Sequence, residues 1–116
     1  MKQSFWTPSK NLVERSQMTK FLKYVNSCYH LSLKSYDDLY LWSINEIPIF
    51  WDSFWKFSEI KSSNSYSSVV DNASKMPGAK WFTDARLNYA ENLLKYNDSQ
   101  TAIIFKGEGQ APRILT

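Results

Sequence analysis

Cysteine, histidine and glycine are nearly missing from this chain of 116 residues, which holds one cysteine, one histidine and three glycines (Gly78, Gly107 and Gly109). A lone thiol, Cys28, excludes a disulfide framework and any multi-cysteine zinc or iron–sulfur site. A lone imidazole, His30, excludes histidine-rich metal sites. Three scattered glycines cannot build the loop whose backbone amides cradle a phosphate. Long apolar runs are missing as well: the longest, Ile47 to Trp51, is interrupted by Pro48 and falls far short of the roughly 20 residues that cross a bilayer. Neither a membrane span nor most catalytic outfits can be built from this inventory.

Aromatic side chains are plentiful, with five tryptophans, seven tyrosines and seven phenylalanines in a chain that is 43 % hydrophobic, so a packed core is expected and a disordered tail is excluded. The net charge of +3 is unevenly spread. Residues 1–34 carry six basic and one acidic side chain, and residues 35–60 carry one basic and five acidic. A nucleic-acid binder would gather its lysines into one stripe interleaved with aromatics. Lys20 and Lys23 instead fall on the wet side of a predicted helix, so no nucleic-acid partner is expected. Met1 to Pro8 lacks the apolar stretch of a secretory leader. The sequons at Asn72 and Asn97 then read as chance matches, and the expected compartment is cytoplasmic.

From Ser16 the apolar spacing turns helical. Met18, Phe21, Leu22, Val25, Cys28 and Tyr29 recur at intervals of three and four, with Ser16 as N-cap. Cys28 is expected to be a small buried hydrophobe on that arc. His30 follows the helix, where a polar ring can meet the terminal carbonyls. Ser35-Tyr36-Asp37-Asp38 predicts a second helix opened by a capping box with Asp in the glutamate's place. Its two adjacent carboxylates diverge by about 100° and so do not face one substrate. Leu39, Trp42 and Tyr40 form its expected buried side.

Pro48 is predicted to open a third helix, capped from Asn45-Glu46. Phe50, Trp51, Phe54, Trp55 and Phe57 crowd one wide face, while Asp52 and Lys56 form an i, i+4 pair on the other. Three short helices cannot hide that many rings among themselves, which implies a further packing surface. The Trp51/Trp55 flank is expected to dock outside this chain, with the phenylalanines holding the local helices together.

Residues 61–68 hold five serines and read as a linker. Met76-Pro77-Gly78-Ala79 is a turn by composition, followed by Trp81 and Phe82 as anchors. Asn88 and Glu91 mark the start of a short helix, whose expected buried stripe is Leu87, Ala90, Leu93 and Leu94. Thr101–Phe105 and Arg113–Thr116 read as the two strands of a hairpin. A two-stranded hairpin is marginal alone, so a longer parent protein is expected. The fold class read from these patterns is α+β: short amphipathic helices, then a C-terminal β-hairpin.

Several blocks, in this order and spacing, carry a family resemblance. They are Trp42-Ser43-Ile44, Phe50-Trp51, Phe54-Trp55-Lys56-Phe57, Met76 to Phe82 and, most specific, Ala85-Arg86-Leu87-Asn88-Tyr89-Ala90-Glu91-Asn92-Leu93-Leu94. From about Trp6 to Thr116 the chain resembles the N-terminal region of the acetoacetyl-CoA synthetases, which are adenylate-forming ligases. Acetyl- and propionyl-CoA synthetases share the tryptophan-rich helices, and Tyr89-Ala90-Glu91-Asn92 favours the acetoacetyl branch. Thr83-Asp84 departs from the family, which often has glycine before Ala-Arg.

The resemblance implies a fragment of the large N-terminal domain of such an enzyme. Residues 1–60 would be a tryptophan-rich helical extension, 61–68 a serine-rich linker and 69–116 the truncated start of the catalytic N-terminal domain. The parent would use ATP, Mg²⁺ and CoA, whose binding elements lie downstream in the family. No catalytic, cofactor-binding or metal-binding residue is therefore expected in this segment, and its partner would be the missing catalytic body. Arg86, Asn88 and Glu91 lie in the most specific block, but Asn88 to Glu91 is itself an N-cap spacing, so capping and packing roles are expected for them. A free-standing interaction module and an independent structural domain are the competing readings.

Overall fold

A computed structural model describes residues 5–96 and 98–116, so the Asn97 sequon lies outside the described residues. The chain runs α1 (Lys10–Arg15), α2 (Gln17–Tyr29), α3 (Tyr36–Asn45), α4 (Ile47–Phe57), β1 (Ser68–Val70), β2 (Trp81–Thr83), α5 (Tyr89–Leu93), β3 (Ile103–Phe105) and β4 (Arg113–Leu115). This is the expected α+β mixture of helices and small antiparallel strand pairs, and the expected 101–116 hairpin is the β3–β4 pair. Helix α1 and the β1–β2 ribbon were not foreseen.

Local chemistry explains the helix ends. Ser9 and Ser16 accept the Leu12 and Thr19 amides, and the Ser16 turn ends α1 as α2 begins. At α3 the capping box is complete: Ser35 Oγ accepts the Asp38 amide at 3.1 Å, and Asp38 Oδ2 accepts the Ser35 amide at 2.9 Å. His30 sits at the end of α2 with φ +53, its backbone amide donating to the Asn26 carbonyl. The Asn26 side chain then clasps Leu33 in both directions, donating to its carbonyl at 2.9 Å and accepting from its amide at 3.0 Å. This returns the chain to start α3. Pro48 is the second residue of α4, after Ile47, and Glu46 occupies the cap without a side-chain bond.

Phe21, Val25 and Leu39 form the core, joined by Leu22, Tyr24, Tyr29, Leu33, Trp42, Phe50 and Phe57. Phe21 meets Phe50, Phe54 and Phe57 edge-on at centroid distances of 5.1 to 5.9 Å, so α2 packs its apolar arc on the phenylalanine stripe of α4. Ser53 is fully buried, its hydroxyl bonded to the Ile49 carbonyl (2.6 Å) and the Tyr29 hydroxyl (2.9 Å).

Several expected burials differ, among them Met18, which stands 48 % exposed in the first turn of α2. Cys28 is exposed because the last turn of α2 meets its neighbours through Tyr29, which contacts Trp42 and Ser53. Tyr40 is exposed and stacks on Tyr36, since it lies about 160° around α3 from Trp42. Leu87, Ala90, Leu93 and Leu94 are all exposed, because α5 stands outside the helical core and is tied down by polar bonds.

Residues 61–68 do not behave as a free connector. The Ser63 amide donates to the Arg86 carbonyl at 2.8 Å, Asn64 pairs with Arg86 as an antiparallel bridge, and the Ser67 amide donates to Thr83. β1 and β2 continue this pairing, with Ser68 opposite Thr83 and Val70 opposite Trp81. The serines that suggested a linker lie along an extended strand edge. The loop between β1 and β2 is closed by Asp71, whose carboxylate accepts the Asn72 and Lys80 amides.

The accessible surface is 10096 Å², whereas a self-contained 13.6 kDa protein exposes about 6,600 Å². The radius of gyration, 19.2 Å, compares with ~13 Å for a closed domain of this length. Residues 87–116 contribute to the surplus, since α5, β3 and β4 bury no residue. The purified chain is therefore expected to bind a dye that fluoresces on exposed apolar surface. In hydrogen exchange the amides of α2 and α4 should be protected while those of α5, β3 and β4 exchange orders of magnitude faster. Uniform protection across the chain would contradict this division.

Candidate functional site

The rings on α4 organise the best-built polar cluster in the molecule. Trp55 packs at a tilt on Phe82 of β2 (4.6 Å between centroids, 34°) and meets Tyr66 edge-on at 5.2 Å, while Tyr66 meets Phe82 at 5.3 Å. Trp51 meets Trp81 at 5.9 Å. The Trp51/Trp55 flank, expected to dock outside the chain, thus meets this chain's own β1–β2 ribbon, which half-buries Trp55 and leaves Trp51 39 % exposed. Trp81 and Phe82 are the anchors the sequence suggested.

Asp52 lies beside these rings. One carboxylate oxygen accepts a short hydrogen bond from the Tyr66 hydroxyl, and the other accepts from Lys56 Nζ at 2.7 Å, the pair expected from the i, i+4 spacing. Partial burial pushes the Asp52 carboxyl up, but the bonds from Lys56 and Tyr66 and the lysine charge outweigh it and hold the group below the usual value. Lys56 is raised by its bond to Asp52. Burial, then the bond to Asp52, pushes Tyr66 up to about 12. The cluster ties the extended strand to α4 and directs no free nucleophile or base at an open cavity.

Strand β2 and the turn after it carry the second unusual feature. Phe82 and Asp84 adopt left-handed φ values of +47° and +68°. Asp84 accepts a 2.6 Å hydrogen bond from Ser67 Oγ, and its carbonyl accepts from Asn64 Nδ2 at 2.8 Å. The resemblance often places glycine just before Ala-Arg, and the left-handed backbone at Asp84 is the conformation glycine favours; aspartate tolerates it better than most residues.

Of the three residues weighed in the most specific block, Asn88 caps α5, its Oδ1 accepting the Glu91 amide at 3.2 Å. Glu91 contributes that backbone amide. Arg86 is held by its backbone, and its side chain is exposed. Asn92, which sequence reasoning did not single out, clamps Lys61 from both sides: its Oδ1 accepts the Lys61 amide (2.8 Å) and its Nδ2 donates to the Lys61 carbonyl (2.9 Å). Only the partner's identity, 31 residues away, reveals this role.

Among the described residues, no three His, Cys, Asp or Glu side chains gather as metal ligands. A cleft of about 350 Å³ between α1, α2 and the start of α3 is lined mainly by Leu12, Val13, Met18, Leu22 and Tyr36, with Ser16, Thr19, Lys34 and Ser35 at its polar side. Also among the described residues, no helix is long and apolar enough to cross a membrane.

Two outcomes test this arrangement. Trp55→Ala should destabilise the purified chain itself by about 3 kcal/mol in denaturant unfolding followed by tryptophan fluorescence, the low end for emptying a large aromatic site, because Trp55 is only half-buried. An unchanged midpoint would return Trp55 to an outward-docking role. Tyr66→Phe addresses the polar cluster. A raised tyrosine pKa contributes stability that is full below the ordinary value of 10.0 and is lost as pH rises through about 12. The lowered Asp52 pKa contributes stability that is lost as pH falls below 3.8. The stability gap between the wild type and Tyr66→Phe should therefore be widest near neutrality and close at both extremes; a pH-independent gap would contradict the cluster.

Comparison with known proteins agrees with the sequence resemblance. Residues 36–93 match the family described as acetyl-coenzyme A synthetase N-terminus. The chain is 38 % identical to the acetoacetyl-CoA synthetase of Macaca fascicularis over 104 residues, covering 89 % of this chain and 15 % of that one. It is 43 % identical to the malonamoyl-CoA synthetase of Penicillium aethiopicum over 108 residues, covering 87 % and 15 %. The solved structure of acetoacetyl-CoA synthetase from Streptomyces lividans superimposes with a TM-score of 0.77 at 24 % identity, over 98 % of this chain and 18 % of that one. The chain thus spans less than a fifth of the length of these relatives. It belongs to the acetyl-coenzyme A synthetase N-terminus family.

Proposed function

We propose that this chain is the N-terminal portion of an ATP-dependent acetoacetate–CoA ligase and that it serves as scaffold, without catalytic competence of its own. The observation that carries the reading is the 38 % identity to an acetoacetyl-CoA synthetase along nearly nine-tenths of the chain. In the parent reaction the acetoacetate carboxylate attacks the α-phosphorus of ATP and releases pyrophosphate. The coenzyme A thiol then attacks the acyl carbon and expels AMP. ATP, Mg²⁺ and CoA belong to the remaining body of the enzyme, and no residue of this segment takes part in the chemistry. On this reading residues 1–60 are the helical extension and 69–116 open the catalytic domain, in a cytoplasmic protein that uses neither nucleic acid nor membrane as a partner.

A second acyl group is favoured by one specific observation, the 43 % identity to a malonamoyl-CoA synthetase. Both acids are carboxylates bearing a carbonyl at the third carbon, a methyl ketone in one and an amide in the other, so the two readings share one adenylation chemistry and differ in the acyl pocket.

Pyrophosphate release tests the proposal. The purified chain alone should release none above background with ATP, Mg²⁺, CoA and acetoacetate. A chimera in which this chain replaces the corresponding segment of the Streptomyces lividans enzyme should release pyrophosphate in an acetoacetate-dependent manner. Release by the chain alone, or a folded chimera without activity, would overturn the scaffold reading.

A further inference from the structure

Residues 86–94 carry exposed apolar side chains on a backbone that long-range hydrogen bonds hold in place. The Arg86 backbone is fixed to residues 63–64: its carbonyl accepts the Ser63 amide at 2.8 Å and Ser63 Oγ at 3.1 Å, and its amide donates to the Asn64 carbonyl at 3.1 Å. Asn92 clamps the other end to Lys61, and Lys95 Nζ donates to the Ser58 carbonyl at 2.7 Å. On this fixed frame Leu87, Tyr89, Leu93 and Leu94 stand 48, 74, 63 and 75 % exposed. The Arg86 guanidinium is exposed beside them and has no hydrogen-bond or ion-pair partner among the described residues. Tyrosine and arginine are the residues enriched at interface centres, and the leucines beside them add apolar area to cover.

The occupant follows from size and charge. Nearly all of this chain, 98 %, superimposes on only 18 % of a longer synthetase chain, so in that fold some four-fifths of the polypeptide lies outside the part represented here. This chain exposes about 3,500 Å² more than a closed domain of its mass, enough for an extensive permanent interface. An unpaired guanidinium is costly to cover unless a carboxylate meets it, and its planar fork suits one. We propose that Arg86 and the α5 face dock on the catalytic body of the parent synthetase, with Arg86 paired to a carboxylate in an otherwise apolar patch. This rests on the scaffold reading above and adds the surface and the residue through which the scaffold attaches.

The chimera with the Streptomyces lividans body, probed by thermal unfolding, activity and hydrogen exchange, tests the assignment. Arg86→Glu should lower the melting temperature of the chimera by about 5 °C or more, whereas Arg86→Lys should lower it less and Lys20→Glu, on the wet side of α2, hardly at all. The same Arg86→Glu change should leave the unfolding midpoint of the isolated chain unchanged, because the side chain has no partner there. Amides of residues 89–94 should be protected at least tenfold more in the chimera than in the isolated chain. An active chimera in which Arg86→Glu matches Lys20→Glu would overturn the assignment while leaving the scaffold reading intact; an inactive, folded chimera without substitutions would instead overturn the scaffold reading. Self-association of the isolated chain that Arg86→Glu abolishes would place a second copy on this face and also overturn it.

Discussion

Helix α4 carries five large aromatic rings within eight residues, and the rest of the chain is arranged around the need to cover them. The phenylalanine side receives α2, with Phe21 meeting three rings of the stripe edge-on. The tryptophan side receives the β1–β2 ribbon, with Phe82 on Trp55 and Trp81 against Trp51. A single helix packed on two sides makes the helical layer and the strand ribbon interdependent, since neither would bury its aromatic area without the other. Each enclosed ring is worth on the order of 2–3 kcal/mol. Asp52 and Tyr66 add orientation, because their hydrogen bond fixes which part of the extended strand lies over the helix.

This packing does not extend past residue 86. Beyond it α5 and the β3–β4 hairpin bury no residue and show their leucines, isoleucines and tyrosines to solvent, as Leu12, Leu41 and Ile44 do on the earlier helices. Polar bonds hold α5 in place without burying its apolar side. The hairpin strand Ile103-Ile104-Phe105 is apolar at consecutive positions, hence on both faces, the pattern of a strand covered from two sides. A chain that spans less than a fifth of its relatives and leaves large apolar side chains uncovered along its length has the surface of a segment of a larger fold.

What could be read from sequence followed interaction range. The capping box at Ser35, the Asn88 cap, the Asp52–Lys56 pair and the closing hairpin all depend on residues within one turn or one short loop. The ribbon could not be read, because three-residue strands separated by a ten-residue loop leave no periodic signal, and the serines of 61–68 resemble a flexible tract until their amides are matched with residues 83–86. Cys28 and Tyr40 were misplaced for a different reason: helical spacing says which residues share a face, while burial depends on where neighbouring helices reach. At the candidate site, the Asn88–Glu91 cap was legible from spacing alone. The fixed Arg86 was not, since residues 63 and 64 hold it across more than twenty positions of sequence.

The strained turn links the core to the uncovered face. A phenylalanine at φ +47° costs on the order of 1–3 kcal/mol and persists only where its surroundings determine it. Phe82 is held there because Trp55 and Tyr66 close on its ring, a burial comparable in size to the strain. Asp84, also left-handed, is held by Ser67 and Asn64, residues on either side of Tyr66 on the extended strand. Two residues beyond Asp84 comes Arg86, bonded to the same strand. The direction in which Arg86 leaves the chain is therefore set by α4 through Trp55, Phe82 and the 63–67 strand. A glycine at position 84 would relax the backbone strain there but would also delete the carboxylate that Ser67 grips. Aspartate accepts some strain in return for a turn tied to the aromatic core, and the geometry of the uncovered face thereby becomes a consequence of how α4 is packed.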